Sequence, residues 1–213
     1  MFTEGEYSIR VEGDWAFEDL TTFTSEYQKL YAFYYHILSE GDFPRGGLTG
    51  DYPWRGGFST VNFFNRLFHN IPYHHQPRIR RMHYASPGSI DLQTAVEVSQ
   101  QIALIVGSVG ASLYGAFEVY KKIRKGLAEL ELTKMSAKTQ EIELAQKYGD
   151  FIDQCIDEIS PYIGEKHKDK ILQMAPNKLA ALKLQLTVFR RITPLAELNE
   201  RGMLPSPNQQ NKT

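Results

Sequence analysis

From Val98 to Phe117 the chain reads VSQQIALIVGSVGASLYGAF, a run without a single charged residue, and a basic cluster of Lys121, Lys122, Arg124 and Lys125 follows at once. Within the run small residues recur four apart, Gly107, Ala111 and Gly115 on one helical row and Ser108, Ser112 and Ala116 on the next. On a helix such rows bring a neighbouring backbone close. The run is therefore expected to be a packing surface, with Gly107, Ser108, Ala111, Ser112 and Gly115 as its contact residues. Its fully apolar part, Ile102 to Phe117, would cover roughly 24 Å as a helix, short of the ~30 Å hydrocarbon core of a bilayer. Length favours burial in protein or in an oligomer. Insertion into a membrane, with the basic flank on the cytoplasmic side, is the alternative expectation.

The 213 residues can bury a sizeable core. Cys155 is the single cysteine and falls in the apolar stripe of a predicted helix, which excludes a disulfide scaffold and suits a reducing compartment. The start, MFTEGEYSIRVEGDW, is acidic and polar and lacks the pattern of a secretory signal. Cytoplasmic synthesis is the expectation, with membrane association through residues 98–117 as its alternative.

The net charge is −1, but the charge is unevenly distributed. Between Pro44 and Tyr84, Arg45, Arg55, Arg66, Arg78, Arg80 and Arg81 face the lone acid Asp51, whereas the first 43 residues are strongly acidic. A basic segment interleaved with Tyr52, Trp54 and Phe58 has the composition of a nucleic-acid contact. Arg45, Arg55, Arg78, Arg80 and Arg81 are the candidate contacts for an anionic ligand. Two Arg-Gly-Gly copies in a short glycine-rich connection, Phe43 to Thr60, read more simply as an ordered loop closing the core edge.

Local patterns predict an α+β fold, mostly helical. Tyr7, Ile9 and Val11 alternate with polar neighbours and predict a strand over Glu6–Glu12. From Phe17 to Leu38 the residues Leu20, Phe23, Tyr27, Leu30, Tyr31, Tyr34, Ile37 and Leu38 sit three and four apart, the face of an amphipathic helix. A short helix around Val61–Ile71 stops at Pro72, and RIRRMHY predicts a second strand ended by Ser86-Pro87-Gly88. A two-stranded sheet covered by the aromatic helix follows. With Ser89 or Asp91 as N-cap, the remainder predicts a long helix, a charged helical or coiled-coil arm over Glu129–Lys147, a break near Ser136-Ala137 or Gly149, and terminal helices, the last one ending before Pro194. The boundaries are a head over 1–88, a helical region over 89–202 and a disordered tail over 203–213.

Chemical signatures are sparse. His74 and His75 are adjacent, and no Cys, Asp or Glu stands at ligand spacing beside them or beside His69, so no metal site is expected. The chain has no GxSxG, HExxH, CxxC, phosphate-loop or dinucleotide fingerprint, and a thiol on an apolar stripe suits packing better than nucleophilic attack. No catalytic residue and no cofactor is expected. The sequence points to a non-enzymatic interaction or assembly protein that self-associates or docks a protein partner through the small-residue helix. A membrane-inserting effector and a nucleic-acid adaptor are the alternatives.

Overall fold

The computed structural model describes residues 2–39, 59–136 and 141–205. It opens with strand β1 (Glu4–Val11), helix α1 (Phe17–Leu38) and helix α2 (Ser59–His69). A 3-10 turn over Tyr73–His75 leads into β2 (Arg78–His83) and β3 (Gly88–Ala95). Then come α3 (Val96–Ala111), α4 (Leu113–Ser136), α5 (Glu141–Ile159), α6 (Lys168–Met174) and α7 (Lys178–Glu200). The glycine-rich connection read from Phe43 to Thr60, with Trp54 and Phe58, falls almost wholly outside the described residues.

The sheet has three antiparallel strands in the order β1-β3-β2 rather than two. The residues taken as a helix N-cap, Ser89 and Asp91, lie inside its central strand. Ile90, Leu92 and Thr94 are buried at a spacing of two and outweigh the capping signal. Ser86-Pro87-Gly88 does end the RIRRMHY strand, as the turn of a hairpin that leads into β3: a Cβ on Gly88 would sit 2.4 Å from the His83 carbonyl oxygen and 2.7 Å from that of Ala85. The centre of the sheet therefore lies beyond residue 88, and one apolar cluster runs from Val11 to Leu204.

The register puts Tyr7 and Ile79 across from Leu92, and Ile9 and Met82 across from Ile90, so these apolar side chains share the inner face. Ser8 and Arg81 flank Asp91 on the outer face. A bulge at Arg80 resets β2 between the two registers.

The inner face is held to α1 by a ladder of rings four residues apart: Phe23, Tyr27, Tyr31 and Tyr35, with successive centroids 5.4, 6.3 and 6.3 Å apart. Its hydroxyls tie α1 to the sheet. Tyr31 Oη accepts the Ala95 amide at 2.9 Å and donates to the His75 carbonyl at 2.7 Å. Tyr27 Oη donates to Ser99 Oγ at 2.8 Å, and Ser99 Oγ is 3.1 Å from Thr94 Oγ1. Burial pushes the Tyr31 phenol up to about 12 and Tyr27 higher still, so both remain neutral donors.

Helix α7 is the central post of the helical half. Asn177 caps it by accepting the Ala180 amide at 2.9 Å, and most of its length is buried. It passes through Pro194 and ends at Glu200 instead of stopping before the proline. The lost hydrogen bond would have gone to the carbonyl of Arg190, an exposed residue. Helices α4 and α5 run antiparallel: Lys122 Nζ meets Glu158 at 2.7 Å, and Gly126 faces the Phe151 ring. α5 continues unbroken through Gly149, and residues 137–140, at the other expected break, lie outside the described residues. Met203 and Leu204, read as the start of a disordered tail, are buried, and the Met203 carbonyl accepts the Glu12 amide at 3.1 Å.

Under α1 and α3 lies His167, 7% exposed, its Nε2 without a hydrogen-bond partner among the described residues. Its ring packs against Gly164, whose φ of 94° suits glycine and where a Cβ would lie 2.9 Å from the imidazole. Burial, with Lys166 and Lys170 adding, pushes His167 from 6.5 down to about 4. Between those values the unfolded chain binds a proton that the folded chain refuses, so stability falls as pH is lowered through this window. Urea midpoints measured from pH 7 to 5 should fall for the native chain and fall less steeply for His167→Leu. The tyrosine ties predict a second result. Tyr31→Phe leaves a buried amide unpaired and should cost about 1–3 kcal/mol in urea unfolding, more than Tyr27→Phe, which leaves Ser99 with Thr94.

Candidate interaction surface

The uncharged run does not form one straight helix. It breaks at Ser112, where α3 and α4 meet at 89°. The first three-quarters of the run is committed to the core on one side: Val98, Ile102, Ile105, Val106 and Val109 of α3 are buried. α3 packs chiefly on α7, and also on α1. Among the described residues no single helix is long and apolar enough to cross a membrane; α3 and α4 pass that test only together, across the bend.

The bend divides the expected contact residues. Gly107 faces inward and lines a cleft with Tyr27, Ala103 and Leu195. Ser108, Ala111 and Ser112 are exposed, and Gly115, past the bend, is exposed with no atom within 4 Å of a Cβ built on it. Ala111 and Gly115 of that row therefore do not grip a helix of the same chain. That role falls to Gly110 and Gly126, which lie outside it. A Cβ on Gly110 would lie 2.2 Å from Asn199 Oδ1 and 3.3 Å from the Ala196 carbonyl, at the crossing of α3 and α7. One on Gly126 would lie 2.4 Å from the Phe151 ring. Only the partner's position distinguishes a glycine that admits a neighbour from one that faces water, and one helical row does not reveal it.

What remains outside is an elbow without charge. On α3 the exposed residues Gln100, Leu104, Ser108 and Ala111 follow one face at spacings of four and three. Round the bend the exposed face continues through Ser112, Tyr114, Gly115 and Phe117. Leu104 is 54% exposed, Tyr114 81% and Phe117 40%. Phe117 is braced, because its ring stacks on Tyr120 at 6.3 Å, and Tyr120 stacks on Phe189 of α7 at 5.3 Å. The basic cluster beyond it is largely paired: Lys121 with Glu118 at 3.1 Å, Lys122 with Glu158 at 2.7 Å and Lys125 with Glu129 at 3.8 Å.

The arginine candidates separate. Arg45 and Arg55 lie outside the described residues. Arg78, Arg80 and Arg81 are all on β2, the edge strand, where Arg78 stacks on the Tyr73 ring at 3.6 Å. Arg81 lies across from Asp91, whose carboxyl is held below its usual range by the Ser8 hydroxyl at 2.6 Å, with Arg81 and His83 contributing charge. Glu4 and Glu6 occupy the same strip of chain as Ser8, so the sheet presents both signs.

Other chemistry is thin. His74 and His75 lie on a 3-10 turn, with ring centroids 4.3 Å apart, and His75 Nδ1 is 2.7 Å from Tyr35 Oη. Among the described residues no three His, Cys, Asp or Glu side chains are grouped to hold a metal ion. Cys155 is buried, and burial pushes its thiol up to about 11, so that it is a protonated thiol at neutral pH.

No known family matches this chain, and no curated protein or solved structure is significantly similar to it. The two kinds of glycine predict opposite outcomes in thermal unfolding. Gly110→Ala should destabilise by about 1–3 kcal/mol through overpacking at the α3–α7 crossing. Gly115→Ala, in open space on a helix, should be neutral or stabilise by up to about 1 kcal/mol.

Proposed function

We propose that the protein is a non-enzymatic assembly protein that self-associates through the outer face of the α3–α4 elbow. The observation that carries this reading is the exposure of Leu104, Tyr114 and Phe117 among small uncharged residues on a rigidly packed support. Exposed aromatic anchors braced from behind are the residues on which association energy concentrates. The patch contains both large and small members, so a two-fold pairing can set Leu104, Tyr114 and Phe117 of one copy over Ser108, Ala111 and Gly115 of the other. The patch residues themselves are uncharged, and the one cation against them, Lys121 Nζ 4.5 Å over the Phe117 ring, is paired with Glu118 at 3.1 Å, so the patch meets its own image with little repulsion.

Two features favour a protein over a bilayer as the occupant. Insertion would pull Ile102, Ile105, Val106 and Val109 out of the core they share with α1 and α7. Three of the four flanking cations, Lys121, Lys122 and Lys125, are paired to glutamates, which offsets much of the cluster's attraction for anionic lipid.

Sedimentation velocity over a wide concentration range tests the reading. The native chain should show a reversible monomer–oligomer equilibrium. Tyr114→Asp and Ala111→Arg should each weaken it on the order of tenfold or more. As substitutions at exposed sites, they should leave stability within about 0.5 kcal/mol of the native chain. A native chain monomeric at every concentration, or one that pellets with liposomes, would contradict self-association.

A further inference from the structure

We propose that the free edge of β2 captures an acidic, extended segment of a partner protein, which adds to the sheet as a fourth strand. The site is distinct from the elbow and lies on the sheet.

Among the described residues β2 pairs with β3 alone, and five of its six residues are exposed. Its inner-face side chains are only half covered, with Ile79 47% and Met82 49% exposed. Beneath them, between the sheet and α1, lie two cavities. One, of about 150 Å³, is lined by Phe23, Thr24, Phe68, Ile79 and Leu92. The other, of about 270 Å³, is lined by Trp15, Phe17, Leu20, Met82, Tyr84 and Ile90. Most of both linings is apolar, and Phe17 and Tyr84 stand almost fully exposed at the rim of the larger.

The register links the cavities to one kind of ligand. Ile79 lies opposite Leu92 and Met82 opposite Ile90, so the two cavities are two residues apart along β3, roughly 7 Å. A strand added to β2 directs alternate side chains to one face at that same spacing. Residues i and i+2 of the guest thus reach one cavity each, and their neighbours turn to the outer face. On that side the edge carries Arg78, Arg81 and His83, with Arg80 at the bulge. The guest that fits alternates acidic, apolar, acidic, apolar, acidic, with the larger apolar residue toward the Met82 end. Strand addition supplies main-chain hydrogen bonds, and the two cavities supply selectivity. The arginines also keep a second β2 from pairing there, since like charges would face each other.

A nucleic acid fits less well. Beyond β2 the same face carries Arg10 of β1, which is paired with Glu12 at 3.0 Å, and Asp91, Glu4 and Glu6 lie across the rest of the sheet, so no continuous basic track follows a phosphate backbone.

Fluorescence anisotropy with the full chain and labelled pentapeptides tests the proposal. The probes are Glu-Leu-Glu-Phe-Glu and its reverse sequence, which cover both strand directions. At least one should bind saturably, and more weakly as salt is raised. Lys-Leu-Lys-Phe-Lys and an Nα-methylated copy of the binding probe should each bind at least tenfold more weakly. Arg80→Glu combined with Arg81→Glu should lose the acidic probe tenfold or more and gain the lysine probe, a reversal that misfolding cannot produce. Absence of binding by both acidic probes, equal binding of the methylated probe, or displacement of the probe by a single-stranded oligonucleotide at lower concentration would overturn the proposal.

Discussion

The hydroxyl of Tyr31 joins three parts of the chain that are far apart in sequence. It takes the Ala95 amide where β3 passes into α3, and it donates to the His75 carbonyl just before β2. An amide at a strand–helix junction has no ladder partner, and buried without one it would cost about 1–3 kcal/mol. By accepting it, Tyr31 fixes where the sheet ends and the angle at which α3 departs. The neighbouring rings of Phe23, Tyr27 and Tyr35 hold that hydroxyl in place by stacking along α1. Everything distal inherits this geometry: α3 lies between α1 and α7, and its far end emerges at the elbow. The aromatic stripe is structural, and its polar tips are the joints between layers.

Both proposed surfaces arise from the same arrangement. Beyond Glu97 in its first turn, α3 is amphipathic in an unusual sense, since its buried and exposed faces are both uncharged and only packing distinguishes them. α1 is long enough to fill the inner face under β1 and β3, but β2 lies beyond its reach and keeps Ile79 and Met82 half open. The elbow offers an uncharged face suited to its own copy, and the sheet edge offers a basic rim over apolar cavities. A chain with these two faces can gather copies of itself and hold a different protein on each, a division of labour that requires no chemistry at either site.

The parts of this fold legible in the sequence are those whose signal is local. The apolar stripe from Phe17 to Leu38, with its three- and four-residue spacing, marks out α1. β3 was hidden because Ser89 and Asp91 imitate a cap and the strand is only eight residues long before helical periodicity resumes. Only pairing on both sides makes it a strand. The bend at Ser112 was hidden for a related reason: GSVGASLYGAF contains no proline, and its residues are compatible with one continuous helix until α7 and Tyr120 claim their positions. The arginines of β2 were visible as charge, whereas the cavities beneath them are built from α1, α2 and β3 and have no signature in any one segment.

Hydrogen–deuterium exchange of the intact chain, followed at low and high protein concentration, tests the central claim that the elbow's outer face is a self-association surface on an already folded protein. Peptides spanning residues 104–120 should gain protection as concentration rises, while those from α7 and β3, protected by folding alone, remain unchanged. Protection over 104–120 that is the same at every concentration would contradict the account, as would a gain spread evenly over the core helices.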